Sequence, residues 1–250
     1  MKENVRAVWA SRKAYRWLAA SAHILIIVAL GAAALDRGPL IVALTDTAGT
    51  RMRIGELAST SRACQTFVAE YDDLSQVHVK LDPYDRQNTG SFVLHLRTKP
   101  DDVQDLRTLT HDAAQIEKEA YHLFEYPPIH DSAGRSYCFC LEAPDAGLDN
   151  SITAIGTLEN LYTHGKAVFR DMWGQGIGVR DLDFRLGYDL SLTGKLAVFA
   201  RRMPAYKPFM FGAGWFYSLL AVAYLALIYL TLVMSVPRSV PHHEDPESAE

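Results

Sequence analysis

Gln76-Val-His-Val-Lys-Leu81 and Ser91-Phe-Val-Leu-His-Leu-Arg97 decide the fold of this chain. In the first, Val77, Val79 and Leu81 alternate with His78 and Lys80. In the second, Phe92, Leu94 and Leu96 alternate with Val93 and His95. A period of two means that one face of an extended strand is buried and the other is wet, because successive side chains point to opposite sides of a sheet. The segment between them ends in Gln87-Asn-Thr-Gly90, residue types that favour turns. Two half-buried strands joined by a turn predict antiparallel pairing.

The same reading extends outward. Gln65–Tyr71, Tyr121–Tyr126, Ser136–Glu142, Ile152–Thr157, Lys166–Arg170 and Asp181–Tyr188 are short runs rich in β-branched and aromatic residues, with Ile41–Thr45 as a first strand. Pro127-Pro128 and Asp131-Ser-Ala-Gly134 separate two of them. Only Asp112–Glu119 reads as a helical turn. Many short strands with turns between them predict a mainly β domain, an antiparallel β-sandwich of jelly-roll type, and argue against alternating βαβ units. No repeat of solenoid period is visible.

Two apolar segments bracket this domain. Trp17–Leu35 is uncharged and long enough, at about 1.5 Å per helical residue, to approach the ~30 Å core of a bilayer. A cleaved leader is the competing reading, given Lys2, Arg6, Arg12, Lys13 and Arg16 before it, but the run exceeds the ~7–15 residues of a leader's apolar region. Phe209–Val236 is uncharged and longer, and Phe209, Phe211, Trp215, Phe216 and Tyr217 crowd its first end as an interfacial belt does. Gly212 and Gly214 there are the small residues that allow close helix packing. The expected plan is a basic cytoplasmic tail (1–16), a first transmembrane helix (17–35), the sandwich (36–208), a second transmembrane helix (209–236) and a polar cytoplasmic tail (237–250). The basic N-terminus places the centre outside the cytoplasm. Lys195, Arg201, Arg202 and Lys207 before the second span, against Arg238 alone after it, pull the other way.

Composition narrows the function. The chain has 250 residues, 22% charged, with a net charge of −4 and three cysteines. That fits neither a disordered chain nor a disulfide scaffold, and it gives no electrostatic reason to expect nucleic acid.

The stretches Gln65-Thr-Phe-Val-Ala-Glu-Tyr-Asp-Asp-Leu74, Arg86-Gln-Asn-Thr-Gly90 and Phe124-Glu-Tyr-Pro-Pro-Ile-His-Asp-Ser-Ala-Gly-Arg-Ser-Tyr-Cys-Phe-Cys-Leu-Glu-Ala-Pro144 resemble an extracytoplasmic jelly-roll module of bacterial membrane proteins. Such modules stand beside membrane glycosyltransferases and in other membrane-anchored proteins. The resemblance spans about residues 60–190. It implies a fold and a location in the bacterial cell membrane with the domain on the periplasmic side, and it transfers no catalytic residue.

Several residues invite chemistry. His130-Asp131-Ser132 holds three catalytic residue types, but neighbours on a turn rarely converge, and a turn built on Asp131 and Ser132 is the plainer reading. An enzyme would need His111 and His130 to meet Asp112 or Asp131 in a cleft. Cys138 and Cys140 share one strand face, and either could bridge to Cys64 in an oxidising compartment, although buried free thiols are the favoured expectation. Asp82, Asp85 and Asn88, and likewise Asp145, Asp149 and Asn150, form oxygen-rich loops that could hold a structural Ca²⁺, with no other cofactor or metal expected. Gly174, Gly176 and Gly178 lack the Lys-Ser/Thr of a phosphate loop. Tyr84, Tyr162 and Trp173 could stack on a saccharide, and His23 lies within the first apolar run. The expectation is a non-catalytic, membrane-anchored accessory subunit that docks on other integral membrane subunits of a bioenergetic or envelope-building complex. A carbohydrate-binding module is the alternative.

Overall fold

The computed structural model describes residues 17–235 except 32, 34–37, 46–48, 171–177, 203 and 206. Two units emerge, Gly38–Ser191 and the flanking apolar segments. The first contains β1 (Leu40–Ala43), β2 (Arg51–Arg53), β3 (Arg62–Val68), β4 (Leu74–Asp82), β5 (Ser91–Arg97), β6 (Arg107–Asp112), β7 (Ala120–Ile129), β8 (Ser136–Glu142), β9 (Thr153–Thr157), β10 (Ala167–Arg170), β11 (Asp181–Leu182) and β12 (Phe184–Tyr188). They form two antiparallel sheets. One has five strands in the order β10-β3-β8-β5-β6; the other has seven, with β1-β12-β4-β9-β11 as its path, β2 beside β9 and β7 beside β4.

The period-two pattern explains the packing. Val77, Val79 and Leu81 on β4, and Phe92, Leu94 and Leu96 on β5, are fully buried. They join one core with residues of both sheets. Phe184 of the seven-stranded sheet meets Phe67 at 6.1 Å and Phe139 at 5.6 Å from the five-stranded sheet. Phe92 and Phe124 meet edge-on at 5.8 Å. Such tilted and edge-on contacts are favoured by the ring quadrupoles and add to the burial of large apolar surfaces. Gly90, at φ +93°, makes the turn before β5 that a side chain would strain.

Two departures from the sequence reading have local causes. Strand β7 runs through Pro127 and Pro128 instead of stopping at them. Among the described residues it pairs only with β4, and the pairing shifts between Leu74 and Gln76, opposite the prolines. Proline lacks the N–H that an interior strand must donate, so an edge strand at an irregular register accommodates it. Asp181–Tyr188 divides at Asp183, where β11 pairs with β9 and β12 with β4. Asp112–Glu119 contributes one 3-10 turn, Ala113–Gln115, capped by the Asp112 carboxylate accepting from the Ala114 N–H at 2.9 Å.

The flanking unit contains α1 (Trp17–Gly31), α2 (Leu192–Arg202) and α3 (Gly214–Ser235). Helix α2 falls within the segment read as sandwich. Among the described residues one helix is long and apolar enough to cross a membrane: an 18-residue window of α3, Gly214–Thr231, of which none is buried. The described part of the first apolar run is shorter, and Ala34 and Leu35 at its end lie outside the described residues. The expected pair of spans therefore stands here as one helix of spanning length and one shorter apolar helix. Helix α3 begins at Gly214, later than the sequence suggested, because Phe209–Gly212 forms a 3-10 turn.

Candidate functional site

The cysteines lie on the outer face of the five-stranded sheet. On β3 and β8 the inward residues are Phe67, Phe139 and Leu141, so the alternation sends Cys64, Cys138 and Cys140 the other way, where they form their own buried cluster. Register selects the partner: Cys64 stands opposite Cys140, whereas Cys138 stands opposite Thr66. Cys64 and Cys140 form a disulfide, with Cα atoms 4.0 Å apart. Cys138 keeps its thiol, with Sγ 3.8 Å from that of Cys140. The expectation of free buried thiols thus holds for Cys138 and is corrected for the other two. Burial pushes the Cys138 thiol up to about 12, against the opposing pull of Arg62 and Arg97.

Cations and acids surround this cluster. His95 stands opposite Cys140 in the register. Its Nδ1 lies 2.6 Å from an Asp105 oxygen, and Arg97 Nε donates to the other at 2.5 Å. Burial opposes the charge of Asp105, but the bonds from Arg97, His95 and Thr108 outweigh it and hold that carboxyl down at about 2. A recess of about 150 Å³ opens beside Cys64, with Arg62, Asp101, Lys166 and Arg170 on its walls.

A larger recess, about 420 Å³, lies where the end of β6 meets the start of β7, lined by His111, Gln115, Glu117, Tyr121 and His122 among others. These are edge strands of different sheets, so the recess marks a seam of the sandwich. His122 Nε2 and His111 Nδ1 are 2.9 Å apart, and the rings pack on Phe92 and Phe124. A hydrogen bond there needs one nitrogen to donate and the other to accept, so at least one ring is neutral. Burial pushes both histidines down, and with His111 beside it His122 falls to about 4.

Among the other sequence-selected residues, the two oxygen-rich loops meet through Arg86–Asp149 and Thr89–Asn150. His130 pairs through Nδ1 with Asp73 at 2.5 Å, Asp131 takes the left-handed conformation at φ 52°, and Ser132 is buried. The Ser132 hydroxyl accepts from the Leu74 N–H and donates to the Tyr71 carbonyl, which makes it a brace. His111 and His130 therefore engage different partners. Asp82 accepts from Arg53, Asp85 pairs with Lys118 at 2.6 Å and Asn88 donates to the Pro83 carbonyl. Asp145 accepts from Ser91, Asp149 lies 3.5 Å from Arg86 and Asn150 accepts from the Thr89 N–H. Arg53 of β2 and Lys118, just before β7, thus set cations against the two carboxylates of the first loop.

Two guanidinium groups, of Arg53 and Arg86, lie over the Tyr84 ring. Tyr162 accepts from the Val68 N–H, donates to the Val68 carbonyl and packs edge-on against Phe184. Trp173, Gly174 and Gly176 lie outside the described residues. A Cβ on Gly212 would come within 2.5 Å of the Lys207 carbonyl oxygen, so that glycine serves its own turn, whereas Gly214 faces open space. His23 approaches the Ala19 carbonyl at 2.6 Å and stacks on Tyr224 of α3 at 5.5 Å.

Sequence reasoning missed a polar network in the seven-stranded sheet. Asp183 is fully buried, accepts from the Tyr121 hydroxyl at 2.5 Å and pairs with Arg51 at 2.9 Å. The Arg185 guanidinium lies 3.8 Å from the centroid of the Tyr121 ring. The signal is the polar half of the alternation in Asp181–Tyr188, at Asp181, Asp183 and Arg185. No family model matches the chain, and no curated protein matches it.

Proposed function

We propose that this chain is a non-catalytic accessory subunit of a larger membrane complex, bioenergetic or envelope-building, anchored in the bacterial cell membrane with its sandwich outside the cytoplasm. The observation that carries the reading is α3: its 18-residue apolar window has no buried residue. Such a helix is stable only with lipid or other apolar helices around it. In α2, Leu192, Leu196 and Phe199 recur on one face and are exposed, while Arg201 and Arg202 occupy its last turn. That distribution suits a helix lying in a membrane interface.

The Cys64–Cys140 bridge supports the extracytoplasmic side, since such bonds persist in oxidising compartments. The resemblance to extracytoplasmic modules points the same way. A photo-crosslinking residue at Leu219, Val222 or Leu225 of α3, tested in the native membrane, is expected to capture another integral membrane chain from at least one position. Lipid adducts alone at all three would overturn the reading.

A further inference from the structure

We propose that Cys64, Cys138 and Cys140 constitute a three-thiolate site for a soft monovalent cation, Cu(I), which exists when the Cys64–Cys140 bridge is reduced. The three sulfur atoms lie within 4.8 Å of one another, and all three residues are buried. They project from two adjacent strands onto one face, so the sheet itself fixes their spacing. Nothing in the core uses them, because that face is turned away from it.

The choice of ion follows from the donors. Thiolates select soft ions, and among those Zn(II) asks for a fourth ligand. His95 is the imidazole opposite Cys140, and its Nδ1 is held by Asp105 while Nε2 lies 3.9 Å from Glu142. Three sulfurs without a free imidazole suit Cu(I). Three thiolates around one monovalent cation leave a net charge of −2, and Arg62, Lys166 and Arg170, with Asp101 among them, line the recess beside Cys64. The recess walled by Arg62, Lys166 and Arg170 reaches Cys64 and supplies an entry path.

The bridge and the metal site exclude each other, since a sulfur engaged in the bridge has no thiolate to offer. A dithiol reductant passes two electrons and two protons to the Cys64–Cys140 bond, which breaks into two thiols while the dithiol closes into its own disulfide. Cu(I) then binds three sulfurs, and three protons leave to solvent.

The test uses the full chain in detergent, reduced with dithiothreitol, freed of it without air, and titrated against the Cu(I)–bicinchoninate complex. The reduced chain is expected to withdraw one Cu(I), and the oxidised chain none. Cys138→Ser keeps both bridge partners, so formation of the Cys64–Cys140 disulfide in that variant checks its folding independently. Its reduced form is expected to hold Cu(I) roughly tenfold or more weaker. Equal withdrawal by Cys138→Ser and the natural chain would overturn the proposal. So would a reduced chain that takes up Zn(II) and leaves Cu(I) with the dye.

Discussion

Phe184 in the sandwich and Leu225 in α3 are both large apolar side chains, yet the first is 0% exposed and the second 63%. Around Phe184 the chain supplies its own cover, from Phe67, Phe139 and Tyr162. Around Leu225, Trp215, Leu219, Val222 and Tyr229 are exposed too. In water such a surface would drive aggregation, whereas in a bilayer it costs nothing. On the proposed function, the sandwich is a domain that completes itself, and α3 is an element that takes its surroundings from elsewhere. Stability and association should therefore respond to different residues.

The largest break in that contrast comes from the core. Phe184→Ala removes a ring that three aromatic neighbours touch and should cost about 3–5 kcal/mol, read as a lowered denaturation midpoint of the full chain in detergent. Leu225→Ala should leave that midpoint within about 0.5 kcal/mol. If both variants shift it equally, the sandwich does not complete itself.

Next comes a charge in the helix. Leu225→Lys should cost about 2.5–3.5 kcal/mol of membrane insertion, read as the fraction of chain recovered in the membrane, and leave the sandwich midpoint unchanged. A smaller effect sharpens the account of the core. The buried Tyr188 hydroxyl accepts from the Glu70 N–H at 3.0 Å. Tyr188→Phe should cost about 1–3 kcal/mol, because the amide loses its partner.

The seam between β6 and β7 sets a pH dependence. In the folded chain His122 is held at about 4, against an ordinary 6.5. Between those values the unfolded chain binds the proton and the folded chain refuses it. Its contribution to stability is therefore full above about 6.5 and lost progressively as the pH falls toward about 4. Asp105 works in a separate window: its lowered pKa stabilises the fold above an ordinary 3.8, and that contribution is lost as the pH falls through about 2. The denaturation midpoint of His122→Phe, followed from pH 7 to 4, should fall less steeply than that of the natural chain. An identical slope would remove His122 as the cause.

Much of the fold was legible because burial imposes a period. The alternations of β4 and β5 came through, and Ser136–Glu142 has the limits read from its residues. What stayed hidden lacks that period or draws its environment from distant residues. Strand β6, Arg107–Asp112, is an edge strand with no buried residue, so it shows no apolar alternation. Helix α2 buries only Val198, and its Gly194 and Lys195 make a weak helical pattern within a segment otherwise read as β. The cysteine pairing was open in the sequence because Cys138 and Cys140 share a face. Only the register of β3 against β8 distinguishes them. The histidine seam was equally out of reach: His111 and His122 lie on edges of different sheets, and no local spacing announces that those edges meet.

The central claim is that α3 belongs to a larger membrane assembly while the sandwich stands complete. The most direct measurement is purification of the native protein from its own membrane in mild detergent, with its apparent mass and companion chains determined. The account predicts a stoichiometric complex with other integral membrane chains, well above the 27.9 kDa of this chain. A lone 27.9 kDa species without companions would contradict it.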